Sequence, residues 1–249
     1  MPLLSDKDRS FLKDHFAKSL VKPVRLLYFT QTIACQFCKE TEQILREVAE
    51  LSDKIKLEVY NFITDKQVAD QYGIDKIPAT VVMGETDYGI RFYGIPSGYE
   101  FTSLIEDIVD VSRGKSALSE QTLQVIQAIK DPVHIQVFVT PTCPYCPGAV
   151  RMGHSLAMAS DKIRADMVES IEFPHLANKY SVQGVPRTVI NETTYLDGMA
   201  PEPLFVAKVL EAVGMMTAEE VQKLVDQMVA EAEKHEHEPH EHREGHEHH

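Results

Sequence analysis

Apolar residues change period along this chain in a regular way. A helical spacing at Phe11, Leu12, Phe16 and Leu20 follows Ser5 and Asp8, a capping pair, and ends at Pro23. The β-favouring run Leu26 to Thr30 comes next, then a helical stripe at Ile44, Leu45, Val48 and Leu51. A strand over Lys56 to Phe62, a short helix near Lys66 to Gln71, strands around Thr80 to Met83 and Arg91 to Tyr93, and a helix from Thr102 to Ser112 complete a first unit. The second half repeats the order: helix Ser119 to Lys130, strand Val133 to Val139, a helix after Cys143, strand Ala165 to Glu169, helix Pro174 to Tyr180, strands Thr188 to Ile190 and Thr194 to Leu196, and helix Pro203 to Val213. Thr217 to Glu220 forms a capping box, and Val221, Leu224, Val225, Met228 and Val229 give the helix it opens one apolar face.

The repeat is visible residue by residue. An offset of 108 superimposes Cys35 on Cys143, Cys38 on Cys146, Tyr72 on Tyr180 and Pro78 on Pro186. Upstream the offset is 109, because Lys22-Pro23-Val24 matches Asp131-Pro132-Val133, and downstream it is 104, where Gly94 matches Gly198. Both slips fall in turns, where a duplicated fold tolerates insertions. The pattern predicts an α/β protein of two units, residues 1–115 and 116–234, each a partly parallel sheet closed by an antiparallel hairpin. Residues 235–249 hold seven of the eleven histidines and five glutamates without an apolar residue, which predicts a disordered, solvated tail.

At 43% hydrophobic content the chain can bury a substantial core, and its net charge of −13 argues against nucleic-acid binding. No apolar run approaches a membrane span, and charges interrupt Met1 to Lys22 where a leader would need an apolar stretch, so a cytoplasmic protein is expected.

All four cysteines form two pairs, Cys35-Gln36-Phe37-Cys38 and Cys143-Pro144-Tyr145-Cys146, each where a strand should turn into a helix. In a reducing compartment such a pair is catalytic, redox-active or metal-binding more often than a structural staple. Zinc ribbons space their pairs by roughly 15–20 residues, whereas here each pair sits within its own repeat. A helix N-terminus stabilises a thiolate, and disulfide exchange needs that thiolate plus a nearby second thiol. Cys35 and Cys143 are thus expected as nucleophiles at the exposed helix ends, with Cys38 and Cys146 about one turn in as resolving thiols.

Cys38 precedes Pro78 by 40 residues, in Ile77-Pro78, and Cys146 precedes Pro186 by the same 40, in Val185-Pro186. With these spacings the chain resembles the thioredoxin superfamily, and its two units with Cys-Pro-Tyr-Cys in the second resemble the tandem-thioredoxin protein disulfide oxidoreductases of thermophiles, also called glutaredoxin-like. The resemblance implies that Pro78 and Pro186 are cis and lie against the disulfides, leaving the backbone of Ile77 and Val185 to pair with an extended substrate. It implies reduction, oxidation and isomerisation of protein disulfides, cysteine-containing protein substrates, and no bound cofactor. Electrons would come from NADPH through a separate thioredoxin-reductase-like flavoprotein. Peroxiredoxin-reductase modules are a related possibility, with a peroxiredoxin as partner; they keep one active pair and usually join a flavin domain, whereas both pairs persist here and no flavin domain follows.

Two departures stand out. Thioredoxins bury an aspartate on the strand before the first cysteine, whereas Leu26 to Thr30 and Ile135 to Val139 contain no carboxylate. The residue after the proline also differs, Ala79 in one unit and Arg187 in the other, and Arg187 is a candidate for lowering the Cys143 pKa. A metal-handling protein is the competing class: His235, His237, His240, His242 and His246 could ligate Zn²⁺ or Ni²⁺ with the interleaved glutamates. His15, His134, His154 and His175 lack ligand spacing and are expected at surface or boundary positions, and Tyr72 and Tyr180 in packing.

Overall fold

A computed structural model describes residues 2–236, with side chains described through residue 230. The first half runs α1 (Asp6–Ser19), β1 (Val24–Thr30), α2 (Cys38–Ala49), β2 (Ile55–Asn61), α3 (Lys66–Gln71), β3 (Ala79–Met83), β4 (Ile90–Tyr93) and α4 (Glu100–Arg113). The second runs α5 (Glu120–Ile126), β5 (Val133–Val139), α6 (Cys146–Ala159), β6 (Ile163–Glu169), α7 (Pro174–Lys179), β7 (Arg187–Ile190), β8 (Thr194–Asp197), α8 (Glu202–Ala212) and α9 (Ala218–Glu236). These are two thioredoxin-like units in tandem. Among the described residues no helix is long and apolar enough to cross a membrane.

Local chemistry sets most element ends. The Ser5 side chain accepts the Asp8 amide at the start of α1, and Thr217 and Glu220 exchange side-chain and backbone hydrogen bonds at the start of α9. Ile44, Leu45, Val48 and Leu51 are buried as the helical period requires. Phe11 departs from its expected place, at 68% exposed, because α1 buries only the stripe through Leu12 and Phe16, with Leu20 just beyond its end. Val229 likewise faces out, and α5 stops at Ile126, short of Lys130. The last helix continues through His235 to Glu236, past the expected start of the tail, and His237, His240, His242 and His246 lie outside the described residues.

The strands form one eight-stranded sheet in the order β2-β1-β3-β4-β6-β5-β7-β8. The pairs β1/β2 and β5/β6 are parallel and the hairpins antiparallel, while the two halves are joined by a parallel pairing of β4 with β6. β4 is therefore an interior strand, buried at all four positions including Arg91. That guanidinium is satisfied by the Asp87 carboxylate at 2.6 and 2.8 Å and by the Tyr72 carbonyl. One face of the sheet carries α2, α4, α6 and α8; the other carries the smaller cluster of Phe29, Ala69, Tyr93, Phe138, Phe173 and Tyr180.

A continuous register crosses the molecule through Phe29, Ala79, Tyr93, Val168, Phe138, Arg187 and Asp197. The next row toward the redox loops is Thr30, Pro78, Gly94, Glu169, Val139, Pro186 and Gly198, tied by Gly94 N–H to Pro78 O at 3.0 Å and Gly198 N–H to Pro186 O at 2.8 Å. Side chains alternate along strands, so this second row faces the layer of α2, α4 and α6. With strands about 4.8 Å apart, Pro78 and Pro186 stand about 19 Å apart, four strand spacings, with Glu169 midway.

Candidate active site

Both cysteine pairs are disulfides with Cα–Cα separations of 5.5 Å. α2 begins at Cys38 and α6 at Cys146, so the resolving cysteines are the first helical residues and Cys35 and Cys143 precede their helices instead of capping them. The extra residue of the first loop is accommodated by Ala34 in the left-handed region, at φ 58°. Cys38 and Cys146 are buried and Cys35 is half-buried. Cys143 differs from the exposed helix end expected for it: only 7% is exposed, and its sulfur lies 3.6 Å from the Val185 carbonyl oxygen, so the second loop folds down onto the proline segment.

The Ile77–Pro78 and Val185–Pro186 peptide bonds are both cis. β3 starts at Ala79 and β7 at Arg187, so Ile77 and Val185 stand just outside the sheet on the same edge as the disulfides. Arg187 is directed elsewhere. It belongs to the register row that faces away from α6, its Nη1 binds the Asp197 carboxylate at 2.7 Å, and its guanidinium lies 4.8 Å from the Tyr195 ring centre. With the charge compensated on the far face, Arg187→Ala is expected to leave the Cys143 thiolate fraction at pH 7 unchanged; thiol titration by absorbance checks this, and a fall in thiolate would restore the tuning role.

Neither β1 nor β5 carries a carboxylate, but a buried one lies at the start of α4, the helix beside α6. α4 and α6 follow parallel strands and run side by side in the same direction. Asp107 on α4 pairs with Arg151 and, at 2.6 Å, with His154 Nδ1 on α6. Two turns earlier on both helices come Glu100 and the Cys146 turn. Just ahead of Glu100, the Tyr99 amide donates to the Pro141 carbonyl at 3.0 Å, which fixes this turn beside the second redox loop. Gly98 is required there, since a Cβ would collide with that same carbonyl. Glu100 is 1% exposed; one oxygen accepts from the Ser103 hydroxyl at 2.8 Å and the other has no partner among the described residues. Burial, with the Asp107 charge adding to it, pushes its carboxyl up to about 7.

Sequence reasoning missed Glu100 and expected His154 at a surface or boundary position, whereas His154 is 1% exposed and edge-on to Phe92. A signal existed for the helix contact: Asp107 and Asp110, and Arg151 and His154, are each three apart, the spacing of one helix face. Tyr72 and Tyr180 do pack against the far-face cluster.

The thioredoxin domain family matches this chain twice, over residues 29–106 and 133–211, together more than half of its length. The chain belongs to that family, in tandem form, and two Cys-x-x-Cys sites on this fold define a thiol–disulfide oxidoreductase. Among solved structures it is similar to a protein disulfide oxidoreductase from Aeropyrum pernix K1, at 30% identity and a TM-score of 0.80, covering 86% of this chain and 96% of that one. It is also similar to the NTD_N/C domain of the alkylhydroperoxide reductase AhpF of Enterococcus faecalis (29% identity, TM-score 0.75, 84% and 99% covered). Among curated proteins it is 25% identical over 221 residues to the alkyl hydroperoxide reductase F-subunit of Escherichia coli K12, aligning over 89% of this chain but spanning only 40% of that protein.

Proposed function

We propose that this protein exchanges dithiols with disulfides in other proteins, using both cysteine pairs. The observation that carries this reading is the duplicated geometry: each pair sits at a helix start, each half has a cis-proline immediately before its third strand in one sheet, and at the second site the Cys143 sulfur lies 3.6 Å from the Val185 carbonyl oxygen. Residues 1–115 and 116–234 are taken as the two units, each with one site.

In the reducing direction the thiolate of Cys35 or Cys143 attacks a client disulfide, forming a mixed disulfide and releasing one client thiolate. Cys38 or Cys146 then displaces the second client sulfur, and the protein is left in the disulfide state seen here. Two electrons pass to the client, and re-reduction falls to an NADPH-linked flavoprotein. The backbone of Ile77 and Val185, which lies outside the sheet ladder, supports docking of an extended client segment as an added strand. At the second site Glu100 takes the proton of Cys146 and returns it to the departing sulfur.

The similarity to AhpF proteins over most of the chain favours a second reading, in which the electrons go to a peroxiredoxin. Insulin reduction and reactivation of scrambled ribonuclease by Cys35→Ser and Cys143→Ser variants test the first reading. Each single variant is expected to keep partial reductase activity and the double variant none. If the wild type fails both assays yet reduces a purified peroxiredoxin at a high rate, the second reading replaces the first.

A further inference from the structure

The first redox site has no counterpart to Glu100 in its own half. β1 carries no carboxylate, and none on α2 is both buried and unpaired: Glu40 is exposed, Glu42 binds Arg46, and Glu47 accepts the Leu3 and Leu4 amides. The acid at this site comes from across the seam. Glu169 ends β6 on the redox face, one strand from Gly94 and two from Pro78, and its Oε1 is buried without a partner in a residue 3% exposed. Glu172, in the following turn, gives its amide to Glu169 at 2.7 Å and accepts the Ile95 amide at 2.6 Å.

Gly94 makes the approach possible. It adopts φ +97°, and a Cβ there would lie 2.6 Å from the Glu169 Cβ and 2.8 Å from the Glu172 Oε1. Its amide is bonded to the Pro78 carbonyl, so the Glu172 carboxyl stands against the residue that pairs with the cis-proline of the first site. On the other side of that site, Tyr28 donates its hydroxyl to the Cys38 carbonyl at 2.6 Å, and the charges of Glu42 and Glu172 both act on this phenol. The ionisable groups whose charges bear on this corner are thus Tyr28 from β1, Glu42 from α2 and Glu169 from β6.

Resting on the dithiol-exchange reading, we propose that Glu172, supplied by the C-terminal half, accepts and returns the proton of Cys38 at the N-terminal site. The two halves then serve each other: the first provides Glu100 to Cys146, the second Glu172 to Cys38. In the reducing direction the Cys35 thiolate displaces one client sulfur. Cys38 passes its proton to the Glu172 carboxylate, and its sulfur displaces the other client sulfur from Cys35. Two electrons have then moved to the client, and the proton held on Glu172 leaves with a client thiol. Burial and the Glu169 charge push the Glu172 carboxyl up to about 7, where a carboxyl both takes and gives a proton near neutrality.

The test uses the full chain with Cys143→Ser and Cys146→Ser, so that only the first pair changes state. A ¹³C-carboxyl NMR titration of Glu172, assigned with Glu172→Gln, is run with the Cys35–Cys38 pair oxidised and reduced. Coupled sites perturb each other, so the proton affinity of Glu172 is expected to change at least about twofold between the two states. In the same background Glu172→Gln is expected to lower the first-site reduction rate about tenfold or more and to remove an ionisation near neutrality from its pH profile, with Glu172→Asp restoring part. The mirror protein, Cys35→Ser with Cys38→Ser, should keep its pH profile when Glu172→Gln is added, which a merely structural role would not allow. A Glu172 titration identical in both redox states overturns the inference whether or not the first pair turns over substrate. Failure of the parent variant to reduce insulin, with the titration still coupled, would instead overturn the catalytic reading of that pair.

Discussion

Asp107→Ala is expected to destabilise the protein by roughly 3–5 kcal/mol, the range for stripping one partner from a buried ion cluster. The Asp107 side chain is fully buried and holds two partners from the other half, the Arg151 guanidinium through Nη1 and the His154 ring through Nδ1 at 2.6 Å. Asp110 takes the second nitrogen of the same guanidinium. Without Asp107, a largely buried arginine keeps one partner and His154, whose Nε2 already has none, loses its only one among the described residues. The cluster lies where α4 meets α6, so the loss falls on the joint between the halves. Urea unfolding at pH 7 measures it, and a change under about 1 kcal/mol would mean that β4/β6 pairing and apolar packing hold the seam without these charges. A second readout follows from the same residue: the Asp107 charge helps to raise Glu100, so its removal should shift the pH profile of the second site to lower pH.

Glu100→Gln is expected to move activity and stability in opposite directions. Loss of a positioned proton acceptor should lower the second-site rate about 10²-fold, measured with Cys35→Ser and Cys38→Ser in place. The stability effect has a definite sign. A carboxyl near 7 in the folded protein and near 4.3 in the unfolded chain binds more protons when folded, so its contribution falls as pH rises through that window and is flat above it. Glutamine has no proton to lose. The variant should therefore gain on the wild type between about pH 4 and 7, reaching at most about 4 kcal/mol by pH 8. Denaturant unfolding at pH 5 and pH 8 checks this; an equal difference at both values would show that Glu100 is not held protonated. A residue that costs stability and supplies chemistry is what a trade-off at an active centre predicts.

Much of this was legible in the sequence because its causes are local. Helical and alternating periods follow from which face is buried, caps from side chains three residues apart, and the duplicated Cys–Pro spacings from a repeated helix, strand and short helix. What escaped depends on partners distant along the chain. β4 reads as the outer strand of a hairpin, and only its pairing with β6, more than seventy residues on, makes Arg91 an interior residue. Glu100 falls two residues before the helix that the sequence predicts from Thr102, and its burial beside α6 is set by residues distant along the chain. His154 lacks ligand spacing, yet its environment is set by Asp107, not by its neighbours in sequence. The burial of Cys143 follows from how its loop meets Val185, which neither segment encodes alone.

Because the sheet passes unbroken from one half to the other, the gap between the two reactive edges is a fixed ruler. A stretched polypeptide advances about 3.3 Å per residue, so some six residues reach from one proline to the other. A client with cysteines at that separation could be gripped at both ends at once, and the second capture would then proceed at the high effective concentration of a tethered group.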